Sequence, residues 1–260
     1  MTDRILEMFD KLCLPFGEGI ENENTKDNLI LKMLPEAKYI EGVGIYLPSK
    51  KETKKVIVSH MDLVRPFQVG FTQNRKFKVE NEELIGALDN TLTNAILMIA
   101  IQESKTDDVA FLFTEGEETG LTGMRMFMRT IFPTLNNPFF INLDVTNEFF
   151  EHYPISVEFD KPNFDMCKQI FKGAGPTGFT HIRFTDDTSA ILSGGGNGMS
   201  FCIPTNFYCH TYESRTKVAY LEPYLKGVQF MINVLDASKY VQDMQTLETK
   251  QIIMVFKDDF

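Results

Sequence analysis

The sequence contains no apolar run approaching ~18 residues, so a membrane-spanning helix is not expected. Its opening stretch, Met1-Thr2-Asp3-Arg4-Ile5-Leu6-Glu7, interleaves charges with apolar residues and offers no long apolar core of a secretory signal. Basic residues are outnumbered: 26 Lys and Arg stand against 36 Asp and Glu, a formal net charge of -10. That balance argues against non-specific attachment to nucleic acid or to anionic membranes, both of which favour clustered Lys and Arg. Cysteine is scarce. Cys13, Cys167, Cys202 and Cys209 are too few for a disulfide framework in 260 residues. A reducing, cytoplasmic setting is therefore expected, although Cys202 and Cys209 are near enough in sequence to form a local clip. Internal repeats, low-complexity tracts and Pro/Ser-rich linkers are missing too. With 43% hydrophobic and 24% charged residues, what remains is a soluble globular protein of one large domain, or one domain with a small appendage.

Short apolar runs alternate with amphipathic stretches. Ile5, Leu6, Phe9 and Leu12 predict an opening helix over 3–13. A second helix is expected over 26–34, ended by Pro35. Tyr39 to Leu47 reads as a strand around Gly42 and Gly44, and Val56-Ile57-Val58 as a short buried strand. A hairpin is expected within 66–86. Helix-like composition follows over 90–101, a buried strand over 109–113 and a helix over 124–130. Further strands are expected at 139–143 and 199–203. A last helix over 221–235 carries Leu221, Leu225, Val228, Ile232 and Leu235 at a 3.6-residue period, with Pro223 placed in its first turn. The alternation predicts an α/β three-layer sandwich with a mixed, mostly parallel central sheet flanked by helices.

Chemistry-bearing residues fall just after those strands, where catalytic groups of open α/β sheets collect. His60 and Asp62 stand two apart at a strand end, on one face of the chain. Asp89 lies in Gly86-Ala87-Leu88-Asp89-Asn90, before a helix. Its two oxygens can join two cations, though a helix cap in Asp89-Asn90-Thr91 would be the plainer role. Glu117 and Glu118 follow Phe111-Leu112-Phe113. Adjacent carboxylates at a strand end repel each other unless a cation is near. With one present, one glutamate can bind metal while the other takes a proton from an activated water; without one, the pair is an exposed acidic turn between Gly116 and Gly120. Asp144 closes the run Phe139-Phe140-Ile141-Asn142-Leu143, and His210 follows Phe207-Tyr208-Cys209. Taken singly, each would be an ordinary hydrogen-bonded residue. Together they give two histidines and three carboxylates, a ligand set for two metals that share a carboxylate, and leave Glu117 free as a base. His152 and His181 have no such context and read as surface or structural. Gly194-Gly195-Gly196-Asn197-Gly198 lacks the Lys-Ser/Thr ending of a phosphate-binding loop and reads as a turn before a strand.

In this order the segments resemble the superfamily of co-catalytic dizinc exopeptidases, and most nearly its deblocking and glutamyl aminopeptidase branch. The resemblance covers most of the chain. It rests on Ser59-His60-Met61-Asp62, Ala87-Leu88-Asp89-Asn90, Glu117-Glu118-Thr119-Gly120-Leu121-Thr122-Gly123, Leu143-Asp144-Val145-Thr146, Thr185-Asp186 and Cys202-Ile203-Pro204-Thr205-Asn206 through His210-Thr211. It implies that Asp89 bridges two divalent metals, with His60 and Asp144 completing one and Glu118 and His210 the other. It further implies that Glu117 is the general base and that Asp62 supports the site from behind. Zinc is the expected metal, with cobalt or manganese as alternatives that suit the same ligands.

The sequence departs from the family's pattern at Asn90, Thr91 and Asn206, where the family usually has Asp, a basic residue and Arg. Only 26 residues (63–88) separate Asp62 from Asp89, and 65 (145–209) separate Asp144 from His210. Neither spacing leaves room for an insertion, so 1–260 is expected to be a single catalytic domain with no lid or dimerisation insertion. A homo-oligomer is possible but not predicted. The expected activity is that of an aminopeptidase acting on peptides or small amides, with Asp186, Asp187 or Glu115 available to pair with the substrate amine. A carboxypeptidase or deacylase would need a cation for the substrate carboxylate, for which Arg65, Arg183 and Arg215 are candidates. A cyclase-type acyltransferase with one metal is a further variant of the fold. A non-catalytic peptide-binding homologue is the alternative that Asn90 and Asn206 raise.

Overall fold

A computed structural model describes residues 1–15, 25–64, 77–159, 173–181, 185–206 and 209–236. Two helices open the chain, α1 (Thr2–Leu12) and α2 (Lys26–Met33), followed by β1 (Lys38–Ile40), β2 (Gly44–Leu47) and β3 (Lys55–His60). The hairpin β4 (Phe77–Glu80) and β5 (Glu83–Gly86) leads to α3 (Thr91–Glu103) and β6 (Val109–Thr114). Then come α4 (Thr122–Thr130), β7 (Phe139–Thr146), β8 (Ser156–Phe159), β9 (Gly178–His181), α5 (Asp187–Ser193), β10 (Asn197–Pro204), β11 (Arg215–Lys217) and α6 (Val218–Asn233).

Eight strands form one sheet in the order β1-β2-β6-β3-β7-β10-β8-β9. Its centre is parallel: β3 pairs with both β6 and β7, and β7 with β10. Antiparallel β2 and β8 flank that centre, so the sheet is mixed as expected. Alternation along the strands divides the core. Ile57, Phe111, Phe113, Ile141, Leu143 and Phe201 pack under α1, α3 and α6, while Val56, Val58, Ala110, Leu112 and Phe140 pack under α4 and α5. Helix, sheet and helix thus make the three-layer sandwich. The middle helix α3 is buried from Thr91 to Ala100 and lies against the strands that carry the site.

Several elements differ from the sequence reading for identifiable reasons. The strand expected over Tyr39–Leu47 is a tight hairpin, β1 against β2, because Gly42 and Gly44 take φ of 73 and 120. A Cβ at Gly44 would sit 2.1 Å from the Phe113 carbonyl oxygen, so only glycine lets β2 close on β6. The hairpin expected within 66–86 is present at 77–86, turning through Asn81 and Glu82 at positive φ; residues 66–76 lie outside the described residues. Helix α6 begins at Val218, directly after β11, so Pro223 stands beyond its first turn. Strands β8, β9 and β11 and helix α5 carry too little apolar periodicity to be anticipated. Cys202 and Cys209 are not joined in a disulfide, so the local clip does not form. Among the described residues, no helix is long and apolar enough to cross a membrane.

The C-terminal end of α6 is completed by a side chain from the sheet face beneath it. Lys55, 5% exposed, donates its Nζ to the carbonyls of Met231, Ile232 and Leu235 at 2.8, 2.7 and 3.0 Å. A cation there answers carbonyls that a helix end leaves unpaired. Lys55→Met should therefore lower stability by about 1–3 kcal/mol, seen as a lower urea midpoint at unchanged slope. A wild-type midpoint would show that these carbonyls find water instead.

Candidate metal centre

Parallel pairing brings the ends of β3, β6 and β7 to one edge. His60 is level with Thr114 at the ends of β3 and β6, and Asp144 lies near the end of β7 beside Cys202 of β10. The loops leaving these ends build the site. After β6, Gly116 takes φ of 68, and a Cβ there would meet the Thr122 hydroxyl at 2.0 Å. The turn that presents Glu117 and Glu118 thus depends on a glycine. Asp62 fixes that turn from below: its carboxylate accepts from the backbone N–H groups of Glu117 and Glu118 at 3.2 and 3.1 Å.

Asp89 stands at the centre. Its Oδ1 lies 3.1 Å from His60 Nε2 and its Oδ2 lies 3.0 Å from His210 Nε2. Asp144 Oδ1 is 3.8 Å from His60 Nε2, and Glu118 Oε1 is 3.6 Å from His210 Nε2. On its other nitrogen, His60 Nδ1 is 3.5 Å from Asp62 Oδ1. His60, Asp89, Glu117, Glu118, Asp144 and His210 share a cleft of about 520 Å³, with Asp62 directly behind them. All seven site residues anticipated from sequence therefore meet in one place.

The departures Asn90 and Asn206 have structural roles. Asn90 Nδ2 donates to the Leu143 carbonyl at 2.8 Å, which an ionised aspartate cannot do, and so links the Asp89 segment to the strand of Asp144. Asn206 donates to the Glu213 carbonyl and accepts from the Arg215 backbone N–H, both at 3.0 Å, closing the loop that carries His210. The Asp89–Asn90 peptide is cis. Lys26, fully buried, was not anticipated. Its Nζ donates to the Met61 carbonyl at 3.1 Å and to Thr91 Oγ1 at 2.9 Å, tying the His60–Asp62 segment to the start of α3. Sequence assigns such a lysine to the polar face of α2, and nothing in the chain marks it otherwise.

The other candidates are accounted for. Glu115 accepts from the Tyr39 hydroxyl at 2.7 Å, and Asp187, wholly buried, accepts from Thr114 Oγ1 at 2.5 Å. Arg215 pairs with Glu83 at 3.2 Å, and His152 is exposed. Arg65, Arg183, Cys167, Phe207 and Tyr208 lie outside the described residues.

The electrostatics are those of crowded carboxylates. Burial first, and then Asp144, Asp187 and Glu118, raise Glu117 to about 9 against the pull of His60. Burial and Asp89 raise Glu118 to about 7, and burial raises Asp144 to about 6. His210 is pushed up to about 11, chiefly by its bond to Asp89. Burial works against a charged His60, but Asp144, Asp62 and Asp89 outweigh it and raise its pKa. Asp89 is held below the usual carboxylate range, its burial outweighed by His210 and His60. The cleft thus holds protons where positive charge is wanted. Glu118 Oε1 is buried without a hydrogen-bond partner. His60 with Asp89 and Asp144, and Asp89 with Cys209 and His210, each bring ligand atoms within 4.8 Å of one another. The oxygen and imidazole donors fit divalent ions of the zinc type.

An acidic, imidazole-bearing cleft at the carboxyl ends of a parallel sheet is the arrangement of a metal-dependent hydrolase. Residues 43–219 match the model of peptidase family M28, and the chain belongs to that metallopeptidase family. Solved structures share the fold. The aminopeptidase APDkam598 of the archaeon Desulfurococcus kamchatkensis superposes with a TM-score of 0.71 at 14% identity, covering 96% of this chain and 99% of its own. The TET1 peptidase of Pyrococcus horikoshii gives 0.67 at 14% identity over 90% of this chain and 100% of its own. The aminopeptidase PepT of Bacillus cereus gives 0.68 at 11% identity over 89% and 98%. No curated protein matches the chain in sequence.

The metal-free protein should show a definite pH slope. Glu117 and Glu118 keep protons that the unfolded chain releases above 4.5, so they weaken the native state from there up to their folded values of about 9 and 7. His210 keeps a proton that the unfolded chain releases above 6.5, and its stabilisation is lost as pH climbs towards about 11. In both cases the native state binds more protons, so stability falls as pH rises. Chelator-treated protein should melt lower at pH 8.5 than at pH 6. Saturating zinc should raise Tm at both, and more at pH 8.5, because metal displaces these protons. A flat or rising profile without metal would contradict these assignments.

Proposed function

We propose that the protein is an aminopeptidase that removes N-terminal residues from peptides, and that His60, Asp89, Glu118, Asp144 and His210 hold two divalent ions. The observation that carries this reading is the Asp89 carboxylate reaching two imidazoles through separate oxygens, with Glu117 alongside and unused by that pairing. Zinc is the preferred ion, with cobalt or manganese as substitutes; when bound, such ions supply Lewis acidity that polarises the scissile carbonyl and acidifies water. Glu117 takes the proton from the attacking water and returns it to the departing amine. Its buried setting makes its carboxylate a better base than a solvated one. Asp62 positions that base through the two backbone N–H groups it accepts and orients His60 through Nδ1.

The same reading takes 1–260 as one catalytic domain without a lid, since 26 residues between Asp62 and Asp89 accommodate little more than the β4–β5 hairpin. It favours a reducing, cytoplasmic setting, consistent with the free thiols. A carboxypeptidase or deacylase is less well supported, because the described lining of the cleft contains no Lys or Arg.

The test is a matched library of free-amine and N-acetylated peptides incubated with zinc- or cobalt-loaded protein, with products read by mass spectrometry. Stepwise loss of N-terminal residues from free-amine peptides only is expected. Glu117→Gln should keep fold and metal content yet lose about 10²–10⁴ in kcat. Cleavage of blocked peptides, or trimming from the C-terminus, would overturn the aminopeptidase reading. Full activity in Glu117→Gln would remove Glu117 as the base.

A further inference from the structure

Beyond the candidate metal centre the cleft runs on to a carboxylate with no role so far. Glu158, on β8, lines it together with Thr146, Asn147, Thr185 and Asp186. The residue is 4% exposed, and its Oε1 has no hydrogen-bond partner. Asp186 beside it is satisfied: Oδ1 accepts from the Thr188 N–H at 2.9 Å, and Oδ2 from Asn142 Nδ2 at 3.1 Å and Ser200 Oγ at 2.5 Å. Burial pushes Glu158 up to about 8, although the Thr146 side chain bonds to it. Among the described lining residues no Lys or Arg answers it. Buried carboxylates ordinarily have a cationic partner or a full set of hydrogen bonds.

Sheet register places Glu158 relative to the chemistry. Asp144 is level with Cys202 and, through it, with Ser156, whereas Glu158 is level with Ser200 and Asn142. Glu158 is thus two strands across and two residues deeper than Asp144 on the same face. At ~4.8 Å per strand and ~3.3 Å per residue, its Cα lies on the order of 12 Å from that of Asp144. A substrate's α-amine, bonded to the Cα next to the attacked carbonyl, stays close to the metal centre. The end of a long side chain on that residue reaches further. Four carboxylates, Asp89, Glu117, Glu118 and Asp144, would face two divalent ions, which leaves Glu158 and Asp186 as acidic groups in the wall of the cleft with no cation beside them among its described lining residues.

We propose that Glu158 is the floor of the pocket for the substrate's N-terminal side chain and selects a cationic one, lysine or arginine. Lysine's flexible four-carbon stem would lie along Thr146 and Asn147, with its ammonium on the free Oε1. This inference rests on the aminopeptidase reading for the direction of the substrate, so binding and turnover are measured separately. Lysinamide and norleucinamide, matched in stem length, are titrated calorimetrically into zinc-loaded wild-type protein and Glu158→Gln. Lysyl and leucyl 4-nitroanilides are assayed alongside. Wild-type protein should bind lysinamide at least about tenfold more tightly than norleucinamide, as a charge-assisted bond to a buried carboxylate provides. Glu158→Gln should abolish that difference in affinity and in kcat/KM, while leucyl turnover stays near wild type. Equal affinities in wild-type protein overturn the proposal even if the variant does not fold. So does a lysine preference that survives Glu158→Gln, or an equal loss on lysyl and leucyl substrates, which would assign Glu158 to the α-amine. Selective lysinamide binding without turnover of either anilide would uphold the pocket and overturn the aminopeptidase reading instead.

Discussion

Four carboxylates held against two imidazoles in one cleft are costly unless positive charge accompanies them. Asp89 can stay ionised because a histidine approaches each of its oxygens. Glu117, Glu118 and Asp144 have no comparable partner, and burial drives their pKa values upward. Much of the surrounding structure holds this arrangement together. Helix α3 offers Thr93 and Asn94 to Ser59, and Asn94 also donates to the His60 carbonyl. Lys26 joins the two segments on either side, and Asn90 anchors the Asp89 segment to β7. Those bonds fix the backbone and leave the carboxylate oxygens available, which is the condition for binding a cation without reorganisation.

The central parallel strands explain why so few residues are enough. β3 is paired on both sides, with β6 and β7 in matching register, so the three chain ends emerge side by side. His60, the Glu117–Glu118 turn and Asp144 then need only short extensions to converge. Asp89 and His210 enter from outside that set, one at the start of α3 and the other from the loop braced by Asn206. Both imidazole contacts run through the single Asp89 side chain. Asp89 therefore links His60 at the sheet edge to the more exposed His210, whose side chain is 55% exposed.

The parts of this structure that sequence revealed are those where burial and chemistry coincide. Val56-Ile57-Val58, Phe111-Leu112-Phe113 and Phe139-Phe140-Ile141 are unmistakable as buried strands, and each is followed by a residue able to bind metal. Polar residues with purely positional roles were not legible. Lys26 and Lys55 look like solvent-facing lysines because periodicity records only where apolar residues fall, and each is buried through contacts far away in sequence. Glu158 was missed for a similar reason. Ser156-Val157-Glu158 alternates like an ordinary half-exposed edge, and only the pairing of β8 with β10 turns its polar face into the cleft. Asn90 and Asn206 stand out in sequence only as departures from a family pattern that bear on substrate binding; in the structure their amide groups make hydrogen bonds that a carboxylate or guanidinium would make differently.

Glu117 and Glu118 are neighbours on one turn, share the support of Asp62, and yet differ in basicity. Burial is the leading cause for both, so the distinction comes from their surroundings. Glu118 is eased by two histidines, His60 and His210, whereas Glu117 has His60 alone and faces Asp144, Asp187 and Glu118. The glutamate with more cationic neighbours is better placed to stay charged and bind a cation. The one surrounded by carboxylates is better placed to accept a proton, since taking one relieves the repulsion around it. Asp187 supplies part of that bias without entering the cleft: it is wholly buried on α5 and tied to Thr114 at the end of β6. The difference in basicity between the two glutamates thus follows from which side of the turn meets the helix layer and which meets His210.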